Sequence, residues 1–188
     1  MMTRTLQPMM SNNTPTAVIV CVAVLAFGGC SSSKPEATKP ETTPPPAIRA
    51  WMDRLTVAHE YDPKTGFIVA RETVTLPPVI ADAPPLDEAI ARAGSERVVV
   101  AFATADRCAP CQQYKRDALN DAAVIARLSD PGLLPTHVEV DRSPHLAKDH
   151  LGTTMIPMTY ALRGGKVIAS LRGQRSAAEL LAWLDGLR

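Results

Sequence analysis

The 188-residue sequence predicts an α/β fold: a central mixed sheet with helices on both faces, preceded by a small N-terminal extension. Two observations carry that prediction. Beyond Pro85 short apolar runs alternate with helical patterns, the order in which strands and crossover helices build a parallel pair with covered faces. Near the C-terminus two further apolar runs flank Gly164-Gly165, the turn chemistry of a hairpin, which adds antiparallel strands and makes the sheet mixed.

Taken in order, the chain begins with an apolar run from Thr16 to Cys30, "TAVIVCVAVLAFGGC". It is shorter than the roughly 20 residues a bilayer-crossing helix needs and fits the apolar core of a signal peptide instead. Its end resembles a bacterial lipoprotein signal: Gly28 and Gly29 supply small residues before Cys30, and Ser31 to Ser33 begin a polar segment. It departs from that pattern at Phe27, where such signals carry leucine, and in a long leading stretch whose one basic residue is Arg4. The resemblance implies that residues 1–29 are a signal peptide and that Cys30 is lipidated. The protein would then be a membrane-anchored lipoprotein of the cell envelope, facing the periplasm or another extracytoplasmic space.

Residues 30–46 read as a Pro-rich tether, because Ser31 to Pro46 contains five prolines and no large apolar side chain. Extended at about 3.1 Å per residue, it holds a domain up to roughly 50 Å from its anchor. Residues 47–84 form an N-terminal extension without a motif. Within it, the spacing of Ile48, Trp51, Leu55 and Ala58 in "AIRAWMDRLTVAHE" predicts a short amphipathic helix, and "GFIVARETVTL" alternates as a strand. Pro77, Pro78, Pro84 and Pro85 mark a break before the main domain, residues 85–188.

That domain reads as a helix near "LDEAIARAG", a strand "RVVVAFA", and one helix running from the cysteines through "QQYKRDALNDAAVIARL". A strand "THVEVD" and a short helix "PHLAKDHLG" follow. "PMTYALR" and "KVIASLR" form the hairpin, and "SAAELLAWLDGLR" closes the chain as a helix with Leu180, Leu181, Leu184 and Leu187 as its apolar stripe.

The chemistry sits in "ADRCAPCQQYKRD", Ala105 to Asp117. Of four cysteines, Cys21 lies inside the apolar run and Cys30 is the expected lipidation site, which leaves Cys108 and Cys111 as thiols. Such a pair is a staple, part of a metal site, or a working dithiol. A staple explains it weakly, since so short a loop removes little chain entropy. Zinc held by Cys108, Cys111, His145 and His150 has the right ligand types, but its halves are far apart and the histidines, five residues apart, fall on different faces of their helix. Cu(I) on the two thiolates with Met155 or Met158 uses soft ligands without any further signature. The formal charge of +1 gives no electrostatic reason for a nucleic-acid partner.

From about Leu86 to Arg188 the chain resembles the thioredoxin superfamily. "VVVAFATADRCAPC" looks like that family's central strand leading into an active-site Cys-x-Pro-Cys, and "GTTMIPMTYALRGGKVIASLRG" like its cis-proline loop and terminal hairpin. The resemblance implies a thioredoxin-like fold and a thiol–disulfide oxidoreductase that needs no bound cofactor or metal. Its partners would be protein thiols or disulfides and a further, unidentified redox partner. It also implies that Arg107, Ala109, Pro110, Ile156 and Pro157 form the active-site loop and substrate-binding rim, with Pro157 in cis. Whether the protein reduces, oxidises or isomerises stays open.

The residues suit that chemistry. A cysteine at a helix start meets unsatisfied backbone N–H groups that stabilise its thiolate, so Cys108 is the expected nucleophile. Cys111, one turn on, is placed to resolve the mixed disulfide. Pro110 fits a first turn, where a missing N–H costs nothing. Two departures touch proton handling. Arg107 stands where thioredoxins usually carry tryptophan, and is either a charge favouring the thiolate or a solvated loop residue. Ala101 or Phe102 stands where thioredoxins place a buried aspartate. That absence leaves a second reading alive, in which the fold is a redox-inactive interaction module.

Overall fold

The computed structural model describes residues 43–187. The signal peptide, Cys30 and nearly all of the tether lie outside the described residues. The elements are α1 (Pro46–Met52), β1 (His59–Asp62), β2 (Phe67–Ala70), α2 (Pro78–Ala81), α3 (Leu86–Ala93), β3 (Val98–Thr104) and α4 (Ala109–Tyr114). A π-helical turn, Lys115–Leu119, then leads to α5 (Ala122–Leu128), β4 (Leu133–Glu139), α6 (Pro144–Leu151), β5 (Met158–Arg163), β6 (Lys166–Arg172) and α7 (Ala177–Asp185).

Four strands form the main sheet in the order β4-β3-β5-β6. β3 runs parallel to β4 and antiparallel to β5, and β5 pairs antiparallel with β6, so the sheet is mixed as the sequence predicts. All seven residues of β3 are buried. Alternation along the strand divides them between two cores. Val98, Val100 and Phe102 pack with Tyr114, Leu119, Leu128, Leu180 and Leu184, beneath the helices that follow the cysteines and the C-terminal helix. Val99, Ala101 and Ala103 pack on the opposite face with Leu86, Ala89, Ala147 and Leu151 of α3 and α6. Helices on both faces are therefore what two apolar sides of one sheet require. Pro135 sits within β4, where it is tolerated because β4 is an edge strand.

Three local expectations change. The helix expected from the cysteines to Leu128 is broken: it widens into the π turn and stops at Asn120. The Asn120 side chain donates to the carbonyls of Lys115 and Thr75, and Asp121 accepts from the N–H groups of Ala123 and Val124 to start α5 afresh. Short polar side chains that bond nearby backbone end helices and begin new ones. The N-terminal helix ends at Met52 rather than running to Glu60, and His59–Asp62 is a strand paired with β2. Leu55 and Val57 are buried from an extended segment instead of a helix face. The strand read from Gly66 to Leu76 is confined to four residues, Phe67–Ala70.

A third cluster explains the two changes in the extension. Leu55, Val57 and Ile68 pack against Ala109, the first residue of α4, so the extension folds onto the start of the cysteine helix. Val57 and Thr56 donate their backbone N–H groups to the side-chain oxygen of Gln113 at 3.1 and 2.8 Å, and Val74 donates to that of Gln112 at 2.7 Å. Both glutamine side chains are buried; Gln113 takes the two donors that a helix running through Thr56 and Val57 would have kept for itself, and Gln112 takes that of Val74 beyond β2.

Candidate active site at the Cys108–Cys111 pair

β3 ends at Thr104, and residues 105–107 turn the chain into α4. Cys108 is the N-cap of that helix in extended conformation, and its sulfur accepts the backbone N–H of Cys111 at 3.2 Å. Pro110 occupies the first turn. The two cysteines are joined by a disulfide with their Cα atoms 5.2 Å apart. Cys108 is half-buried while Cys111 is wholly buried, so only one sulfur can be met from outside.

The loop before the pair is fixed by its neighbours. The side-chain amide of Gln112 donates to the carbonyl of Asp106 at 2.9 Å. Arg107 bonds Asp141 through two parallel contacts, Nε to Oδ2 at 2.6 Å and Nη2 to Oδ1 at 3.0 Å. Its guanidinium also lies over the Phe67 ring, 5.6 Å from the centroid. Arg107 is therefore a crossbar between the extension and the end of β4 rather than a free charge. The carboxylate of Asp106 is likewise paired, with the buried ammonium of Lys115 at 3.2 Å and with Arg142.

Ala101 and Phe102 are both fully buried, on opposite faces of β3, with Phe102 inside the core around Tyr114. The polar groups of this region lie beside them, at the strand end. Thr104 Oγ1 and His137 Nε2 are 2.7 Å apart. Burial, reinforced by the nearby Lys115 charge, pushes the His137 imidazole down to about 4, so it is neutral near pH 7. Burial, and after it the Asp106 charge, raises the Glu139 carboxyl, one of whose oxygens is enclosed without a hydrogen-bond partner among the described residues. Tyr114 is also raised by burial and bonds Thr159 at 2.9 Å.

The peptide bond between Ile156 and Pro157 is cis, and the Pro157 carbonyl accepts from Gly173 at 2.9 Å. Arg107, Cys108, Pro110 and Ile156 line one cavity of about 640 Å³. Ala109, Cys111 and Pro157 are buried and take no part in its lining. His145 and His150 lie on α6, and among the described residues no group of three or more His, Cys, Asp or Glu side chains is gathered to hold a metal ion.

Residues that sequence reasoning passed over complete the site. Asp141 pairs with Arg107 across 34 positions, too far for any local pattern to show. Gln112 and Gln113 stood in plain view as two adjacent amides on a helix that packs into the core. Phe67 and Trp51 enter through the folding of the extension.

A family model described as a thioredoxin-like domain matches residues 85–188. No curated protein sequence is a match to this chain. Among solved structures, it is similar to a thioredoxin from Thermus thermophilus, with 27% identity over 55% of this chain and 83% of that one and a TM-score of 0.48. It is similar also to Fasciola hepatica thioredoxin, with 20% identity over 55% of this chain and 91% of that one and a TM-score of 0.45. The oxidized form of mitochondrial thioredoxin 3 from Saccharomyces cerevisiae shares 18% identity over 58% of this chain and 99% of its own, with a TM-score of 0.46.

Proposed function

The chain belongs to the thioredoxin-like family, and on that premise we propose that it is a membrane-tethered thiol–disulfide oxidoreductase acting on protein disulfides or dithiols outside the cytoplasm. One observation carries the reading: a half-exposed Cys108 sulfur, receiving a backbone N–H at a helix start, is bonded to a buried Cys111 and faces a cavity. In the reducing direction the Cys108 thiolate attacks one sulfur of a substrate disulfide. A Cys108–substrate disulfide forms as the substrate S–S bond breaks, and the leaving thiolate takes a proton from water. The Cys111 thiolate then attacks Cys108 Sγ, closing the Cys108–Cys111 bond and releasing the second substrate thiolate, with two electrons passed in all. The Cys111 N–H stabilises the Cys108 sulfur whenever it carries negative charge, as attacking and as leaving group.

The tether and the location rest on the sequence before residue 43. Its apolar run, Gly28-Gly29-Cys30 and Pro-rich segment support acylation at Cys30 and a domain held off a membrane surface. The test uses the full chain in detergent, with dithiothreitol as reductant and insulin as substrate. Turnover that Cys108→Ser abolishes supports the reading. A folded chain that leaves insulin intact is instead the redox-inactive module. Separately, Cys30→Ala should abolish processing and move the protein out of the detergent phase.

A further inference from the structure

The N-terminal extension builds a wall of the cavity into which Cys108 opens. Ile48 and Trp51 of α1 and Phe67 and Ile68 of β2 line it together with Met155 and Ile156. The described residues expose five large hydrophobic side chains, and three of them, Trp51 (38% exposed), Phe67 (56%) and Met155 (49%), ring this cavity. The other two, Val167 and Ile168, lie away from it on β6. Such clustering around a reactive sulfur marks a contact surface, since apolar side chains scattered singly need no explanation and a contiguous group does.

The chemistry of the occupant follows from the lining. Whatever enters must carry sulfur, because its bond is to Cys108. The charged groups in the lining are Arg107 and Asp141, and they neutralise each other in a two-bond pair. Among the described residues, no cation in the lining is left to receive an anion such as glutathione. Resting on the redox reading above, we propose that Trp51 and Phe67 are specificity-determining residues. With Met155 they select a protein segment whose disulfide-bonded cysteine is flanked by apolar side chains.

The wall is held in place rather than loosely apposed. Arg107 lies over the Phe67 ring while it grips Asp141, the bridge between Val69 and Cys108 ties β2 to the active-site loop, and the Ala70 N–H donates to the Arg107 carbonyl at 2.8 Å. A preformed apolar wall adds to affinity because little ordering remains to be done on binding.

The test mixes the reduced full-length protein with disulfide-linked peptide dimers and follows its oxidation by acid quenching, alkylation and mass spectrometry of the protein, which counts the thiols left on it. One dimer carries leucine on both sides of the cysteine and the other carries serine. Each reaction consumes one protein dithiol and one peptide disulfide and yields the Cys108–Cys111 bond and two peptide thiols. The expected second-order rate constant favours the leucine dimer about tenfold, the scale of losing one well-packed contact. Trp51→Ala/Phe67→Ala should bring that ratio close to one, and glutathione disulfide should react more slowly than the leucine dimer. Oxidation by both dimers without preference, or a preference that survives the double substitution, overturns the proposal and leaves the redox reading intact. Oxidation by neither dimer overturns both.

Discussion

Replacing Gln113 with alanine tests whether the extension is held on the cysteine helix by that side chain. The Gln113 side-chain oxygen accepts two backbone N–H groups, from Val57 in a buried position and from Thr56 in a half-open one. Alanine cannot accept either. A buried donor left without a partner costs about 1–3 kcal/mol, and the more accessible Thr56 donor costs less because water reaches it. The expected loss is roughly 2–3 kcal/mol, a large share of the 5–15 kcal/mol by which domains are typically stable. Urea denaturation of the oxidised protein measures it. With a denaturant slope of about 1–3 kcal/mol per molar, the midpoint falls by roughly 0.7–3 M. Hydrogen exchange at the Val57 amide should accelerate in step. A midpoint within 0.2 M of the parent, with Val57 still protected, as an order-of-magnitude threshold on that slope, refutes the clamp.

His137 is ordinarily half-protonated near 6.5, and in the fold it is held down to about 4. Unfolding therefore takes up a proton between those values, and stability present above pH 6.5 is lost as the pH falls toward 4, by up to about 3 kcal/mol. Denaturation midpoints of the parent and His137→Gln across that range check it, the variant lacking this part of the slope. Asp121→Ala removes the acceptor that starts α5 and should cost about 1 kcal/mol by thermal or chemical unfolding. Arg107→Ala leaves the Asp141 charge uncompensated near Cys108 and should slow alkylation of reduced Cys108 about threefold near neutral pH, the effect of one screened charge. Arg107→Ala/Asp141→Asn removes a neutral pair and should restore the rate; equal rates in all three proteins refute the crossbar's electrostatic role.

What the sequence made legible was what depends on local pattern. The unbroken apolar run of β3, the Gly164-Gly165 turn and the leucine spacing of α7 each reflect a period or a turn preference, and the sheet follows from their order. The place of the cysteine pair at a helix start was legible because a proline between two cysteines at that spacing suits a first turn. The break at Asn120-Asp121 carried a local signal too, a pair of helix-ending side chains, which the apolar residues on either side outweighed. The extension was misread for another reason. Beyond Met52 its conformation is set by glutamines more than 35 positions later, and the local spacing of its apolar residues carries no sign that its N–H groups go to a distant helix. The Arg107–Asp141 pair was hidden likewise, since its partners meet only once β3 and β4 lie side by side.

Mass spectrometry of mixed disulfides decides whether Cys108 attacks and Cys111 resolves. Each single variant, reduced and then mixed with a disulfide-bonded substrate protein, is quenched with acid and its adducts mapped to a cysteine. Cys111→Ser should accumulate substrate on Cys108, because attack proceeds and the sulfur that would release it is gone. Cys108→Ser should carry nearly no adduct on Cys111, whose side chain is wholly buried. Adducts in equal yield on Cys111 and Cys108, or on neither in folded protein, would contradict the account.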